Sequence, residues 1–365
     1  MDKVVNFFSD LLNILPPFRL QDIVKVHRPE QPSVVEKIVI SVSLAPDYVA
    51  PEGFRIHSWH RRTWQHLSIF EYPCYLECDV PMLQDKTTKK TSQLSVPWAR
   101  PYSGFTLLYE QVVLDYIQRV HNLSAVADLL GLYRQRVETI YDHYTIQAYE
   151  NRQITASTGV HSVEQIGIDE TSTKKGHEYI TIFVDMVKGD ILDIEEGKSG
   201  EAVSKFAQKI DKTVLKEVSM DMSPAFVSAV QKELPQARIT FDKFHIYRHI
   251  FKQLEQIEDG EKKDFAVQEL ENLYTQPDLE AMAGFLAYWI DWVKEDLKAE
   301  KLAKSLKAHF DGIVNYARTN LTNGLLEGIN SKIQTIKKVA RGYRYKQNFA
   351  RMILFVFGRL ATKII

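Results

Sequence analysis

The chain has 365 residues, 45% of them hydrophobic and 25% charged, with a formal net charge of -1. That balance describes an ordinary soluble globular protein with chain enough for two or three domains, and no apolar run approaches the ~20 residues that a membrane span needs. Only Cys74 and Cys78 are present, which excludes a disulfide framework and makes a reducing cytoplasm the expected compartment.

The first hundred residues are mixed. The N-terminal stretch carries acids among its apolar residues and lacks a basic start, so it does not read as a signal peptide. Within it, "FFSDLLNIL" has helical spacing and stops at Pro16 and Pro17. The stretches "EKIVISVSL" (36–44) and "YPCYLECDVP" (72–81) alternate as strands do, and Pro81 is expected to close the second. Residues 1–100 therefore read as a small strand-rich module. The linker after it is "VPWARPYSGFT", with two prolines and a glycine. His57 and His60 are the nearby partners with which Cys74 and Cys78 would make a zinc site. The cysteines lie four apart in one apparent strand, unlike a zinc knuckle, so zinc is not expected.

Residues 122–144, "NLSAVADLLGLYRQRVETIYDHY", read as two helices broken at Gly131. Ser124 is the expected cap of the first, with Val126, Leu129 and Leu130 on one face. The second starts near Arg134 and Arg136. This is the outline of a helix-turn-helix with both arginines placed for DNA, and equally of a plain two-helix hairpin.

From residue 164 the period changes to two. "EQIGID", "EYITIFVDM" and "GDILDIEEG" read as three strands, with turns at 174–176 and at Lys188 and Gly189. A helix (200–210), the strand "EVSMDM" (217–222), a helix opened by Ser223 and Pro224, and the strand "ARITFD" (237–242) follow. Three strands, helix, strand, helix, strand is the ribonuclease H-like order of an α/β fold. Residues 243–318 are almost wholly helical, with Pro277 between two amphipathic stretches. A last helix follows, with Leu325, Ile329, Ile333 and Ile336 as its stripe and Glu327 off that stripe near its start.

Asp169, Asp221 and Asp242 each end an expected strand, and strand ends and helix starts converge at one edge of such a sheet. Three carboxylates from separate elements suffice for two magnesium ions, which take hard oxygen ligands and clamp a phosphodiester from ~3.5–4 Å apart. Taken singly, each acid also suits a solvated loop start or a helix cap. After Glu327 the chain carries Lys332, Lys337, Lys338, Arg341, Arg344, Lys346, Arg351, Arg359 and Lys363 and no acid. Cations among tyrosines suit a nucleic-acid backbone, and they also suit a solvated helix face.

The strings "IGIDE", "VSMDMSPAFVSAVQKELPQARITFDKFHIYRHI" and "NGLLEGINSKIQTIKKVARGYRY" resemble the transposases of the ISL-three family of bacterial insertion sequences, from about residue 95 to 360. The resemblance implies a DDE catalytic core on a ribonuclease H-like fold, with Asp169, Asp221 and Glu327 as catalytic acids and ligands of two Mg2+ ions, Mn2+ being able to substitute. Asp242 and His245, in "DKFH", become supporting residues, with Asp242 as the rival second ligand. It implies a three-part chain: a degenerate zinc-ribbon-like DNA-binding module (1–100), a helical region with a helix-turn-helix (101–160), and the DDE domain (161–365) with a helical insertion at about 250–318. Family members usually begin with paired CxxC motifs, which are lacking here. The implied partners are double-stranded DNA, as terminal inverted repeats and target, and further copies of the chain in a dimer or larger assembly, with no membrane. The implied location is the bacterial cytoplasm, at the nucleoid. A decayed transposase that only binds DNA, or a hydrolytic nuclease of the same fold, would share most of these features.

Overall fold

The computed structural model describes residues 2–12, 14–158, 161–173, 178–197, 199–319 and 324–358. Two compact units divide between Asp142 and His143.

In the first unit α1 (Asp2–Leu11) precedes β1 (Phe18–Arg28), β2 (Gln31–Leu44), β3 (Phe54–Ile69), β4 (Tyr72–Asp85) and β5 (Thr91–Gln93). They form one sheet in the order β1-β2-β4-β3, with β5 on β4. Alternation in β2 and β4 sends Ile38, Ile40, Val42, Cys74, Leu76, Cys78 and Val80 into a core with Trp64 and Trp98, whose rings meet edge to face at 5.5 Å. Pro81 does not close β4, which runs on to Asp85 with Pro81 opposite Trp59. Proline removes one donor from the ladder, but its carbonyl still accepts from Leu94 N at 3.0 Å. Burial pushes the Cys74 thiol up to about 11 and the Cys78 thiol up to about 12. Both therefore serve as small apolar core residues, while His57 and His60 are exposed on β3.

Three helices follow: α2 (Leu107–Val120), α3 (Leu123–Leu130) and α4 (Arg134–Thr158). The linker ahead of α2 is tied down by Glu110, whose buried carboxylate accepts from Arg100 Nε at 2.9 Å and from Ser103 Oγ at 2.6 Å. Asn122, not Ser124, caps α3. Its extended backbone holds the carboxamide over the first turn, where Oδ1 accepts from Ser124 N and Ala125 N at 2.9 and 3.0 Å. Gly131, at φ 62°, supplies the left-handed residue that ends α3. The buried face holds Val126 and Ala127, and Leu129 points outward.

The second unit contains β6 (Gln165–Ser172), β7 (Tyr179–Asp185), β8 (Ile191–Glu196), α5 (Gly200–Ala207), β9 (Glu217–Met220), α6 (Pro224–Glu233) and β10 (Arg238–Phe241). The sheet order is β10-β9-β6-β7-β8. β6, β7 and β8 form an antiparallel meander, and β9 and β10 add in parallel beyond β6. The expected turn at 174–176 lies outside the described residues. The turn at Lys188 and Gly189 forms, with Gly189 N bonded to Asp185 O.

Eight helices complete the unit: α7 (Lys243–Leu254), α8 (Gly260–Leu273), α9 (Leu279–Glu295), α10 (Glu300–Ala308), α11 (Phe310–Val314), α12 (Tyr316–Thr319), α13 (Gly324–Val339) and α14 (Lys346–Phe357), counted among the described residues. The buried stripes of α7 to α10, including Ile250, Leu270, Trp289 and Leu306, join the core of the sheet in one continuous cluster. Asn315 Nδ2 donates to Ile239 O at 2.8 Å and so covers the open edge of β10.

β6 alternates in a way that orders the unit. Ile166 and Ile168 enter the core with Phe206 and Phe226. Gly167 faces α13, where a Cβ would stand 2.7 Å from Leu326 Cδ1 and 2.6 Å from Met186 Sδ. The stripe that α13 buries is accordingly Leu326, Ile329, Ile333 and Ile336. Leu325, expected on that stripe, is 37% exposed, because Leu326 is the residue seated on Gly167. Gly167→Ala is expected to push α13 away from β6 and destabilise this unit by about 1–3 kcal/mol. Denaturant unfolding of the variant beside wild type measures that loss.

Candidate active site

Strand register brings three acids level. Gly167 of β6 lies opposite Ser219 of β9, and Phe241 of β10 opposite Met220 of β9. Two residues beyond the first pair and one beyond the second stand Asp169, Asp221 and Asp242, side by side where the parallel pairing stops. Glu217 and Arg238 face each other across β9 and β10, and their ion pair, with Arg238 Nε 2.7 Å from Glu217 Oε1, pins that register at the other end. Asp169 does not end its strand as expected. β6 runs on to Ser172, so Asp169 lies past the parallel pairing yet inside the hairpin with β7, opposite Ile182.

Each of these acids is held. Asp169 Oδ1 accepts from Glu170 N at 2.7 Å, and its Oδ2 accepts from Nδ2 of Asn330 on α13. Asp221 Oδ1 accepts from Ser223 N at 2.9 Å, in the turn where Pro224 begins α6. Asp242 caps α7: Oδ1 accepts from Phe244 N at 3.0 Å, and Oδ2 lies 2.6 Å from His245 Nδ1. Both Asp242 oxygens are thus engaged in the fold.

Burial pushes the Asp169 carboxyl up to about 6, opposed by the Glu170 N–H and by His245 and reinforced by the charges of Asp221 and Asp242. The hydrogen bond to Asp242 raises the His245 imidazole above its ordinary range, against the effect of burial, and the three carboxylates add to that rise. Three acids facing one imidazole make a locally negative site that suits a cation. Its hard oxygen donors fit magnesium or manganese. Asn330 Oδ1 is buried there without a hydrogen-bond partner among the described residues. Among the described residues no three His, Cys, Asp or Glu side chains gather closely enough to hold one ion. Asp169 and Asp221 share a field, and the third expected ligand stands elsewhere.

That ligand is Glu327, which opens α13 and is exposed. It lines an open groove of about 630 Å³ with Phe244, Tyr247, Arg248, Phe251 and Lys252 of α7. The sequence reading missed this face of α7. Ile246, Ile250 and Leu254 turn to the core, which leaves Phe244, Arg248, Phe251 and Lys252 exposed. The signal was present as aromatics and cations spaced by three and four from the phenylalanine of "DKFH" onward.

The expected DNA contacts divide. Lys332, Lys338, Arg341 and Arg344 are exposed on or just after α13. Lys337 instead turns inward, with Nζ donating to Ser172 O at 2.8 Å and to Ser172 Oγ at 3.1 Å. Arg134 lies exposed, 3.7 Å from Glu138, and the Arg136 guanidinium sits 4.3 Å from the centre of the Phe105 ring. Arg359 and Lys363 lie outside the described residues.

Comparison with known proteins adds three findings. The family model of the ISL3 type described as a transposase matches residues 166–274 and 265–353. A model for the helix-turn-helix domain of transposase family ISL3 matches residues 94–145. The transposase for insertion sequence element IS1001 of Bordetella parapertussis is 24% identical over 359 residues, covering 83% of this chain and 86% of its own length. The transposase for insertion sequence element IS1557 of Mycobacterium tuberculosis is 24% identical over 197 residues, covering 53% of this chain and 42% of its own.

A carboxyl raised in the fold contributes stability that is complete below the ordinary aspartate range and is lost as pH rises through about 6. At neutral pH, without divalent metal, Asp169→Asn is therefore expected to stabilise the protein, raising its melting temperature by about 2–4 °C. The gain should shrink as pH falls below about 6, and thermal melts in chelator across that range measure it.

Proposed function

This chain belongs to the ISL3 family of transposases, and from that premise we propose that it moves its insertion sequence by cutting and joining DNA at a ribonuclease H-like DDE core. It is an insertion-sequence transposase with a DNA-binding helix-turn-helix. The observation that carries the finer reading is the level pair Asp169 and Asp221, in which burial raises the Asp169 carboxyl and the charge of Asp221 adds to that rise, within the stretch that the transposase model matches.

In this reading Asp169, Asp221 and Glu327 hold two divalent ions, Mg2+ or Mn2+. When bound, such ions polarise the attacking oxygen and stabilise the leaving oxygen of an in-line displacement at phosphorus. Asp169 takes up this role as its carboxylate, which the chain holds ionised above about pH 6. Asp242 serves the site from outside the ligand set, since it is fully buried and its Oδ2 pairs with His245, while Asp169 is half-buried and accepts only from neutral N–H groups. The His245 imidazolium offsets part of the negative charge and steadies the approach of a phosphate. Glu327 is the third acid by resemblance and by its place one helical turn before Asn330.

The groove on α7 suits the DNA flanking the cut. Arg248 and Lys252 offer cations to phosphates, and Phe244 and Phe251 offer ring faces to unpaired bases. Arg134 and Arg136 of the helix-turn-helix, with residues 1–100, take the terminal inverted repeats. Lys332, Lys338, Arg341 and Arg344 add backbone contacts after α13. Water as the attacking group cuts at the element end, and the freed 3′-hydroxyl as the attacking group joins it to target DNA. Two ends must be brought together, which calls for a dimer or larger assembly. The whole process acts on DNA in the bacterial cytoplasm, at the nucleoid. No helix among the described residues is long and apolar enough to cross a membrane.

A cleavage and joining assay with DNA carrying the element's ends tests this. Wild type should cut and join with Mg2+ or Mn2+, while Asp169→Ala, Asp221→Ala and Glu327→Ala bind the ends without cutting. Loss in Asp242→Ala with activity kept in Asp221→Ala would reassign the second ligand. Cutting without joining would make the protein a nuclease, and binding without cutting a DNA-binding protein alone.

A further inference from the structure

The Asn330 amide bonds to Asp169 and carries an unsatisfied oxygen. Its Nδ2 donates to Asp169 Oδ2, and its Oδ1 is buried with no partner among the described residues. The orientation follows from the chemistry, because an ionised carboxylate only accepts. The amide NH2 must face Asp169, which leaves the carbonyl oxygen on the same carbon without a donor. A buried amide oxygen seldom stays unpaired in a folded protein, so this one points to a donor or cation that arrives later.

Two further bonds continue the arrangement along the same helix face. Gln334 Nε2 donates to Thr171 Oγ1 at 2.5 Å, and Lys337 Nζ donates to Ser172 O at 2.8 Å. Residues 330, 334 and 337 are spaced by four and three, which is one helical stripe. They meet residues 169, 171 and 172 in the same order. A helix rises about 1.5 Å per residue and a strand about 3.3 Å, so the stretch 330–337 and the stretch 169–172 both advance by about 10 Å. α13 and β6 therefore rise together, with the first rung at the acid that matters.

We propose that Asn330 is a positioning residue of the cation site. Its NH2 holds the Asp169 carboxylate in one orientation, and its Oδ1 supplies a further neutral oxygen to the cation or to a water bound on it. Gln334 and Lys337 keep α13 in register, so that Asn330 stays beside Asp169 and Glu327 stays one turn ahead of it. The proposal rests on the reading of Asp169 as a metal ligand.

The test is Mn2+ binding to the full-length protein without DNA, followed by electron paramagnetic resonance of the free ion, with thermal melts in chelator alongside. Wild type is compared with Asn330→Ala, Asn330→Ser and Asp169→Asn. Asn330→Ala should weaken Mn2+ binding by about 10- to 100-fold, the usual cost of removing a group that orients a ligand, while the loss of its hydrogen bond to Asp169 lowers the melting temperature by only a few degrees and leaves the protein folded at the assay temperature. Asn330→Ser keeps an oxygen at shorter reach and should fall between Asn330→Ala and wild type. Mn2+ affinity within about 2-fold of wild type in both Asn330 variants, while Asp169→Asn abolishes binding, would overturn the role of Asn330 and leave the ligand assignment standing. A loss of affinity that only accompanies unfolding at the assay temperature would overturn it too, by making Asn330 a packing residue. If Asp169→Asn binds Mn2+ as wild type does, the ligand assignment itself fails, and the proposal with it.

Discussion

Parallel pairing of β6, β9 and β10 is the constraint on which the rest of the second unit depends. One backbone register sets Asp169, Asp221 and Asp242 level, and the same alternation decides what each face of β6 meets. Ile166 and Ile168 enter the core, and Gly167 and Asp169 face α13. A slip of one residue would exchange these faces, burying a carboxylate in the core and turning an isoleucine toward the acids. The arrangement has an electrostatic cost, visible in the Asp169 carboxyl held at about 6. A cation bound there, as proposed, would offset that cost.

The helices serve this edge of the sheet. β9 and β10 are four residues each, too short to hold their place by ladder bonds alone. The helical block shares one core with them, Asn315 covers the open strand edge, and the Arg238–Glu217 pair locks the register at the far end. α7 does two things at once. Its cap is Asp242, which ties its start to the acids, and its outer face carries Phe244, Arg248, Phe251 and Lys252 along the groove that Glu327 lines. A helix that buries Ile246, Ile250 and Leu254 must show those residues outward, so the packing of the core and the chemistry of the groove come from one amphipathic pattern.

Much of this was legible in the residues. The succession of β6 to β10 with α5 and α6 between them follows from period-two runs, Pro224 and the turn at Gly189. The stripe on α13 was visible but misplaced by one residue, because Leu325 and Leu326 are equally apolar and only contact with Gly167 chooses between them. The cap of α3 was misread for a similar reason. Asn122 and Ser124 are both good capping residues, and the extended backbone at Asn122 decides it. β1 and β3 escaped notice because only two residues of each are buried, which blurs the alternation of a half-buried strand. At the site, Asp221 and Asp242 were legible as strand-end carboxylates, whereas Asp169 was misread as one, since β6 continues past it to Ser172. The inward turn of Lys337 and the bond from Asn330 to Asp169 were not, since both join positions more than 160 residues apart in the chain.

In the proposed reading Asp169 and Asp221 share a cation, and Asp242 stands outside the ligand set because it is fully buried and pairs with His245, whereas Asp169 is half-buried and bonded only by neutral N–H groups. Anomalous scattering from crystals of the full chain soaked in Mn2+ tests it most directly. A peak shared by the Asp169 and Asp221 carboxylates, with none on Asp242, is expected. A peak held by Asp242 and His245, or no peak near Asp169, would contradict it.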